Sequence, residues 1–344
     1  MDDLWPLSSL EDQSFTLNSD TEPKLFLSGA GFRGQGRKRF RTKMAKRSRI
    51  DEKQSESRLK QGWGDVDAER YRPFLLIHDF SSQGRVSRIK YKGREIHTMS
   101  DLETTVLSEL LWSEDVVDIR DQVALGKKEA VPEGADKRAL RLVTERIAEQ
   151  IGVRHPIMVR DGKPAVMTTD LVAKFAEDGQ LRAYSIKPIQ ALSLHPGTSN
   201  RKARRTIEKL EIERRYWAEQ GVPWFLTTDG DVCKIRKMNI ELLLNTPRPQ
   251  FSQHEAYWID RLSQTIDAIS GNEQMPIGLI AQRLASEWMV SPSRIIENIR
   301  LLCLHRFLEF DMSTPFSHSM LAGSFKPGAL LKPTRNQDNR RKAA

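Results

Sequence analysis

The sequence predicts a mixed α/β domain followed by a small helical one, and three observations carry that reading. Between Tyr71 and Asn245, short β-branched and aromatic runs alternate with amphipathic helical patterns, the signature of a sheet with helices packed on it. Thr246-Pro247-Arg248-Pro249 then breaks every periodicity and reads as a linker. Three helical patterns and one short apolar run follow.

The composition bounds the function. A chain of 344 residues, 38% hydrophobic, suffices for two cores and tails. Its 55 Lys and Arg against 46 Asp and Glu leave a net charge of +9, which favours a polyanionic partner, either nucleic acid or an acidic membrane surface. No apolar run approaches a membrane span, so no membrane partner is expected and nucleic acid gains. The acidic start, MDDLWPLSSLEDQ, is unlike a signal peptide. Cys233 and Cys303 have no metal-binding spacing and make no disulfide framework, as suits a reducing cytoplasm.

Residues 1–70 read as a disordered basic arm. Arg33 to Arg49 is dense in Lys, Arg and Gly and cannot bury enough apolar surface to offset its ordering entropy. Arg37, Lys38, Arg39 and Arg41 are its candidate phosphate contacts. Residues 71–245 form the α/β domain. Arg72–Phe80 and Arg85–Tyr91 read as strands. Ser100 opens a helix to Leu111 with an apolar stripe of Leu102, Val106, Leu107, Leu110 and Leu111. Val116, Val117 and Ile119 suggest an extended segment, and Asp136–Ile151 a helix ended by Gly152. Strands Ala165–Phe175 and Leu181–Lys187 follow, then a charged helix, Lys202–Gln220, and a strand, Val222–Thr228. Residues 250–312 carry helices Gln253–Ser270, Ile277–Trp288 and Ser293–His305 and a strand Phe307–Asp311. Residues 313–344, rich in Pro, Gly, Lys and Arg, read as a disordered basic tail.

The hairpin carries the first chemistry. Asp178-Gly179 between two strand-like runs is a preferred two-residue turn, because both positions need positive φ. If Glu177 faces Gln180, Asp170 falls directly opposite Lys187, with Ser185 on the same face as Lys187. Taken alone, a cross-strand salt bridge explains that pair. Glu103 has its own bland explanation, since Ser100-Asp101-Leu102-Glu103 spells a capping box. Glu208 and Glu211, three apart on the charged helix, could stand near a site or pair with its arginines. Arg201, Lys202, Arg204 and Arg205 oppose the dipole at that helix's start, which hints at phosphate contact. His97 and His155 show no ligand spacing, and the chain has no acyl-transfer triad or phosphate-cradling glycine loop.

These residues sit in a longer ordered set of words. Ser100-Asp101-Leu102-Glu103 precedes Leu111-Trp112-Ser113 and Val117-Asp118-Ile119-Arg120-Asp121-Gln122. Met167-Thr168-Thr169-Asp170, Ile186-Lys187-Pro188, the run Ile207 to Trp217 (IEKLEIERRYW) and Val222-Pro223-Trp224 come later. In this order they resemble the TnsA family, the endonuclease subunits of heteromeric cut-and-paste transposases, over roughly Tyr71 to Leu244. The resemblance implies a restriction-endonuclease-like mixed sheet flanked by helices, then a winged-helix-like domain. It implies Glu103 as a metal ligand, Asp170 as the central metal-bridging aspartate and Lys187 as the catalytic lysine. Ser185 stands where the family often has glutamine, which leaves the Ile186 carbonyl or water to coordinate instead. The implied cofactor is Mg²⁺, with Mn²⁺ as an alternative. The implied partners are double-stranded DNA at transposon ends, a TnsB-type transposase and a TnsC-type ATPase regulator, in a bacterial cytoplasm. The expected activity is hydrolysis at the transposon's 5′ ends. The rivals are a self-sufficient restriction-type nuclease and a non-catalytic winged-helix regulator.

In the second domain, Ile277–Trp288, the turn Met289-Val290-Ser291-Pro292 and Ser293–His305 spell a helix-turn-helix. Ser293, Arg294, Asn298 and Arg300 would face the groove if it reads DNA; docking to the ATPase regulator is the alternative that the resemblance implies.

Overall fold

The computed structural model describes residues 50–79, 86–129, 141–158, 160–194, 200–247 and 255–328. The chain forms two compact units that part at Cys233.

The first unit begins earlier than the sequence suggests. Residues 1–49, with Arg37, Lys38, Arg39 and Arg41, lie outside the described residues. Residues 50–70 are structured: Asp51 and Gln54 form a capping box that starts α1 (Glu52–Lys60). Arg58 on α1 pairs with Asp79 at 2.6 Å and donates to the Phe74 carbonyl. The same Asp79 carboxylate accepts from the Leu76 N–H at 2.8 Å, drawing Ile77–Asp79 into a 3-10 turn. The described part of the expected strand, Arg72–Asp79, is therefore no strand, because a side chain takes the Leu76 donor; Phe80 lies outside the described residues.

β1 (Ser87–Tyr91) pairs with a strand the sequence reading missed, β2 (Arg94–Thr98). Their Lys92-Gly93 turn has positive φ at both residues, the two-residue geometry that matches strand twist. Ser100 caps α2 (Asp101–Trp112), whose Val106, Leu107 and Leu110 are buried. Four strands then build the main sheet in the order β3 (Val116–Ala124), β4 (Thr168–Phe175), β5 (Leu181–Ile186), β6 (Trp224–Thr227). The first three are antiparallel; β6 runs parallel to β5 and so needs a crossover, supplied by α4 (Arg201–Glu219). Helix α3 (Val143–Gln150) and α4 pack on this sheet: Ile147, Ile212, Tyr216 and Trp217 meet Val123, Val172 and Ala183 in one core. A mixed sheet flanked by helices is the architecture expected.

The second unit holds α5 (Lys234–Leu244), absent from the sequence reading, which clasps its own unit through Asn239. The Asn239 amide donates to the carbonyls of Met312 and Thr314 and accepts from the Phe316 N–H. Helices α6 (Glu255–Ser270), α7 (Ile277–Trp288) and α8 (Pro292–Leu304) follow as expected, then β7 (Leu308–Glu309) paired with β8 (Lys326–Pro327). Residues 313–328 are thus no loose tail. Phe310, Phe316 and Phe325 cluster with ring centroids 5.6–6.2 Å apart, and Met320 and Ala322 are buried; aromatic anchors spaced without period escape a pattern search. Residues 329–344 lie outside the described set. Among the described residues no helix is long and apolar enough to cross a membrane.

Candidate active site

The β4–β5 hairpin is offset from its expected register. Leu171 pairs with Tyr184 and Val172 with Ala183, so opposed numbers sum to 355, and continuing the ladder sets Asp170 against Ser185, not Lys187. The cause is the turn. Phe175 N–H donates to the Gln180 carbonyl, enclosing a four-residue loop centred one bond earlier. The Asp178 carboxylate caps the Gln180 N–H at 2.9 Å. Gly179 alone takes positive φ, at +66°, so this is not the turn that needs left-handed conformations at both positions.

Asp170 and Lys187 meet all the same. The ladder ends at Leu171–Tyr184; beyond it the Ile186 N–H donates to Asp170 Oδ2 at 2.8 Å. A side chain has replaced a backbone acceptor, and the strands part around it. Lys187 Nζ lies 2.6 Å from that same Oδ2 and 2.9 Å from the Ile186 carbonyl. The Lys187 N–H is held by the Thr227 carbonyl of β6. Burial works to lower the pKa of this ammonium, yet Asp170, and then Glu213 and Glu103, outweigh it and hold it above its usual range.

Glu103 reaches the cluster from the first turn of α2. It is buried, at 7% exposure. Its Oε2 accepts from the Met99 N–H at 2.8 Å and its Oε1 from the Ser100 hydroxyl at 3.0 Å, while Ser100 Oγ accepts the Glu103 N–H. Ser100 caps the helix as expected, but the Glu103 carboxylate bonds the Met99 N–H and the Ser100 hydroxyl in place of the Ser100 N–H that a capping box uses. Burial, with Asp170 adding, pushes its pKa up to about 7, against the opposing pull of the Met99 N–H and Lys187.

A further acid, not singled out in the sequence, completes the group. Glu213 on α4 is 5% exposed. Its Oε1 accepts from Ser185 Oγ at 2.5 Å and Thr169 Oγ1 at 2.6 Å. Each hydroxyl in turn accepts from an indole: Trp224 donates to Ser185 at 2.8 Å and Trp217 to Thr169 at 2.7 Å. Ser185 is therefore committed to α4. Burial and Asp170 raise Glu213 to about 7, with Ser185, Thr169 and Lys187 pulling the other way. Its sequence signal was position: it falls on the apolar stripe of α4, between Leu210 and Trp217.

The other candidates stay apart. Glu211 is gripped by Arg214 and Arg215 at 2.7–2.8 Å, and the Arg214 hydrogen bond leads in lowering its pKa to about 2. Glu208 pairs with Arg205 at 2.7 Å. Arg201, Lys202 and Arg204 are exposed at the start of α4. In the second unit, Asn298 is 2% exposed, Arg300 stacks over Phe316 at 5.4 Å and Arg294 pairs with Glu297 at 3.0 Å. Of the expected groove-facing row on α8, Asn298 is thus turned inward, Arg294 and Arg300 are half-buried and Ser293 is exposed.

The donors suit a hard divalent cation. Asp170 and Glu103 offer carboxylate oxygen and Ile186 a carbonyl. The Lys187 ammonium resting on both Asp170 Oδ2 and the Ile186 oxygen shows that these two oxygens converge on positive charge. Among the described residues no group of three or more His, Cys, Asp or Glu forms a ready-made cage, so the candidate donors are two carboxylates and one carbonyl.

Two comparisons bear on this geometry. The family model described as TnsA-like endonuclease N terminal matches residues 113–229, taking in Asp170, Ser185, Lys187 and Glu213 and beginning after Glu103. The transposon Tn7 transposition protein TnsA of Escherichia coli is 30% identical over 271 residues, covering 78% of this chain and 89% of that protein.

Proposed function

Because the chain belongs to the TnsA-type endonuclease family, we propose that it is the metal-dependent nuclease subunit of a heteromeric transposase, cutting the 5′ ends of its transposon. The observation that carries this reading is the Lys187 ammonium set on both Asp170 and the Ile186 carbonyl, inside a cluster whose Glu103 and Glu213 are raised to about 7.

Asp170, Glu103 and the Ile186 carbonyl would hold Mg²⁺, or Mn²⁺ in its place. Such a cation, when bound, lowers the pKa of a coordinated water and offsets charge on the phosphate. Lys187 keeps its proton, since its three acidic neighbours favour the charged form; its role is to neutralise a non-bridging phosphate oxygen. Glu213 acts from behind: through Thr169 and Ser185 it fixes both strands where they part, and with them Asp170 and Ile186.

The substrate is double-stranded DNA at the transposon ends, held by the basic arm and the start of α4. A TnsB-type transposase cuts the other strand. The second unit is winged-helix-like and serves to dock a TnsC-type ATPase regulator, a role supported by the inward turn of Asn298 on α8 and the stacking of Arg300 on Phe316.

The test is end cleavage on a transposon-end duplex with the partner proteins present. Asp170→Ala and Lys187→Ala each lower 5′ cleavage by roughly 10²–10³-fold while the partner still cuts the 3′ end. Release of 5′ ends by both variants at the wild-type rate sinks the site. Equal cleavage by the chain alone with Mg²⁺ would favour a self-sufficient nuclease.

A further inference from the structure

Helix α4 carries more positive charge than the site chemistry uses, and the surplus is ordered. Its first turn has no acid and presents Arg201, Lys202, Arg204 and Arg205 to a positive helix end, where cations are unfavourable. A cavity of about 630 Å³ opens there, lined by Arg201, Arg204, Arg205 and Glu208 and closed by Gly152–Arg154 of the loop after α3. Arg205 belongs to the wall: it is held by Glu208 at 2.7 Å and donates to the Arg154 carbonyl at 2.5 Å. Arg154, Arg201 and Arg204 have no carboxylate partner among the described residues.

One turn along, a second cavity of about 350 Å³ is lined by Lys187, Glu213, Thr168, Thr206 and Lys209. Lys209 makes no ion pair among the described residues, although Glu213 lines the same cavity one turn along the helix. Lys209 is exposed on α4, and partial desolvation, Arg205 and Lys187 all work to lower its pKa. Residues 205, 209 and 213 share one helix face at four-residue steps, each about 6 Å along the axis. The face therefore runs from the acid cluster, past Lys209, to the arginine-lined cavity.

We propose that this face of α4 seats successive backbone phosphates of the DNA strand beside the cleaved bond. Lys209 takes the phosphate next to the reacting one, and Arg154, Arg201 and Arg204 take a further phosphate in the larger cavity. Guanidinium forks match phosphate oxygens in pairs, and a strand carries a regular row of such anions. The inference rests on the nuclease reading for its substrate. Lys209 is a positioning residue here, since it fixes the strand and not the reacting atoms.

The experiment is equilibrium binding of a labelled transposon-end duplex by the full chain, in chelator, across a NaCl series. Without metal no cleavage intervenes, so the outcome is independent of whether Asp170→Ala abolishes cutting. Lys209→Gln and Arg204→Gln each lower the slope of log affinity against log salt by about 0.9, and the double variant lowers it by the sum. Lys209→Arg restores the slope, which a merely structural lysine has no reason to do. Lys174→Gln, an exposed cation near the far end of β4, leaves it unchanged. Unfolding temperatures equal to wild type show that each variant is folded. Wild-type slopes for Lys209→Gln and Arg204→Gln, as expected if the cations serve an acidic protein partner, overturn the proposal; so does an equal loss for Lys174→Gln.

Discussion

Neutralising Glu213 is expected to stabilise the protein above neutral pH while disabling it. The folded Glu213 takes up its proton at about 7, against an ordinary 4.5. Between those values the folded state binds more protons than the unfolded one, so stability falls as pH rises through this window and levels off above it. At about 1.4 kcal/mol per pH unit, the ionised carboxyl costs the fold about 3 kcal/mol. At 5% exposure, solvent does little to screen it. Glu213→Gln copies the protonated form and keeps an acceptor for the Ser185 and Thr169 hydroxyls. Below pH 4.5 variant and wild type should therefore unfold together. Above pH 7 the variant should be more stable by about 3 kcal/mol, or roughly 6–12 °C in unfolding temperature for a unit of this size. The assay is thermal unfolding of both proteins in chelator across that range, because bound metal would offset the same charge. Parallel pH profiles, or a variant less stable above pH 7, would refute the reasoning. Such a trade of stability for activity is expected where acids are held together for function.

Three further outcomes follow from the same site. Adding Mg²⁺ to chelator-treated protein should raise the unfolding temperature of wild type and leave that of Asp170→Asn unchanged; an equal rise in both would place the cation elsewhere. Cleavage at limiting metal should climb through about pH 7 as Glu103 and Glu213 ionise, with a midpoint that moves lower as metal is added; a flat profile one unit either side of pH 7 contradicts this. Gly179→Ala places a Cβ at φ +66° and should cost about 1–2 kcal/mol in denaturant unfolding, while a neutral effect would mean the loop re-forms another way.

Periodic elements were legible and aperiodic ones were not. The four strands of the main sheet and the crossover α4 stand out because each repeats its apolar residues at its own period. Residues 313–328 resemble a tail in sequence because Phe316, Met320 and Phe325 anchor a loop at no fixed spacing. Arg72–Phe80 has strand composition, but Asp79 diverts the Leu76 donor, and composition does not report where a hydrogen bond goes. The hairpin register was missed by two residues for a similar reason: Asp178 caps Gln180 and moves the turn's centre back by one.

That small error shows what made the site readable. Strand side chains repeat every second residue, so an error of two keeps the same residues on the same face. Asp170 and Lys187 still meet, now diagonally, because a lysine spans one more step. An error of one would have separated them. Ser185 and Glu213 were harder, because neither is informative alone. A serine at a ligand position reads as a loss, and a glutamate on a charged helix reads as surface. The contact between them, at 2.5 Å, joins residues 28 apart and exists once α4 has crossed back over the sheet. The pair also explains why Ser185 can stand in that place. A carboxylate on β5 would add a fourth acid beside Asp170, Glu103 and Glu213, two of them already raised to about 7. Ser185→Glu should thus weaken the fold above neutral pH in chelator, with Mg²⁺ recovering part of the loss. Full stability of that variant without metal would mean that the cluster has charge capacity to spare.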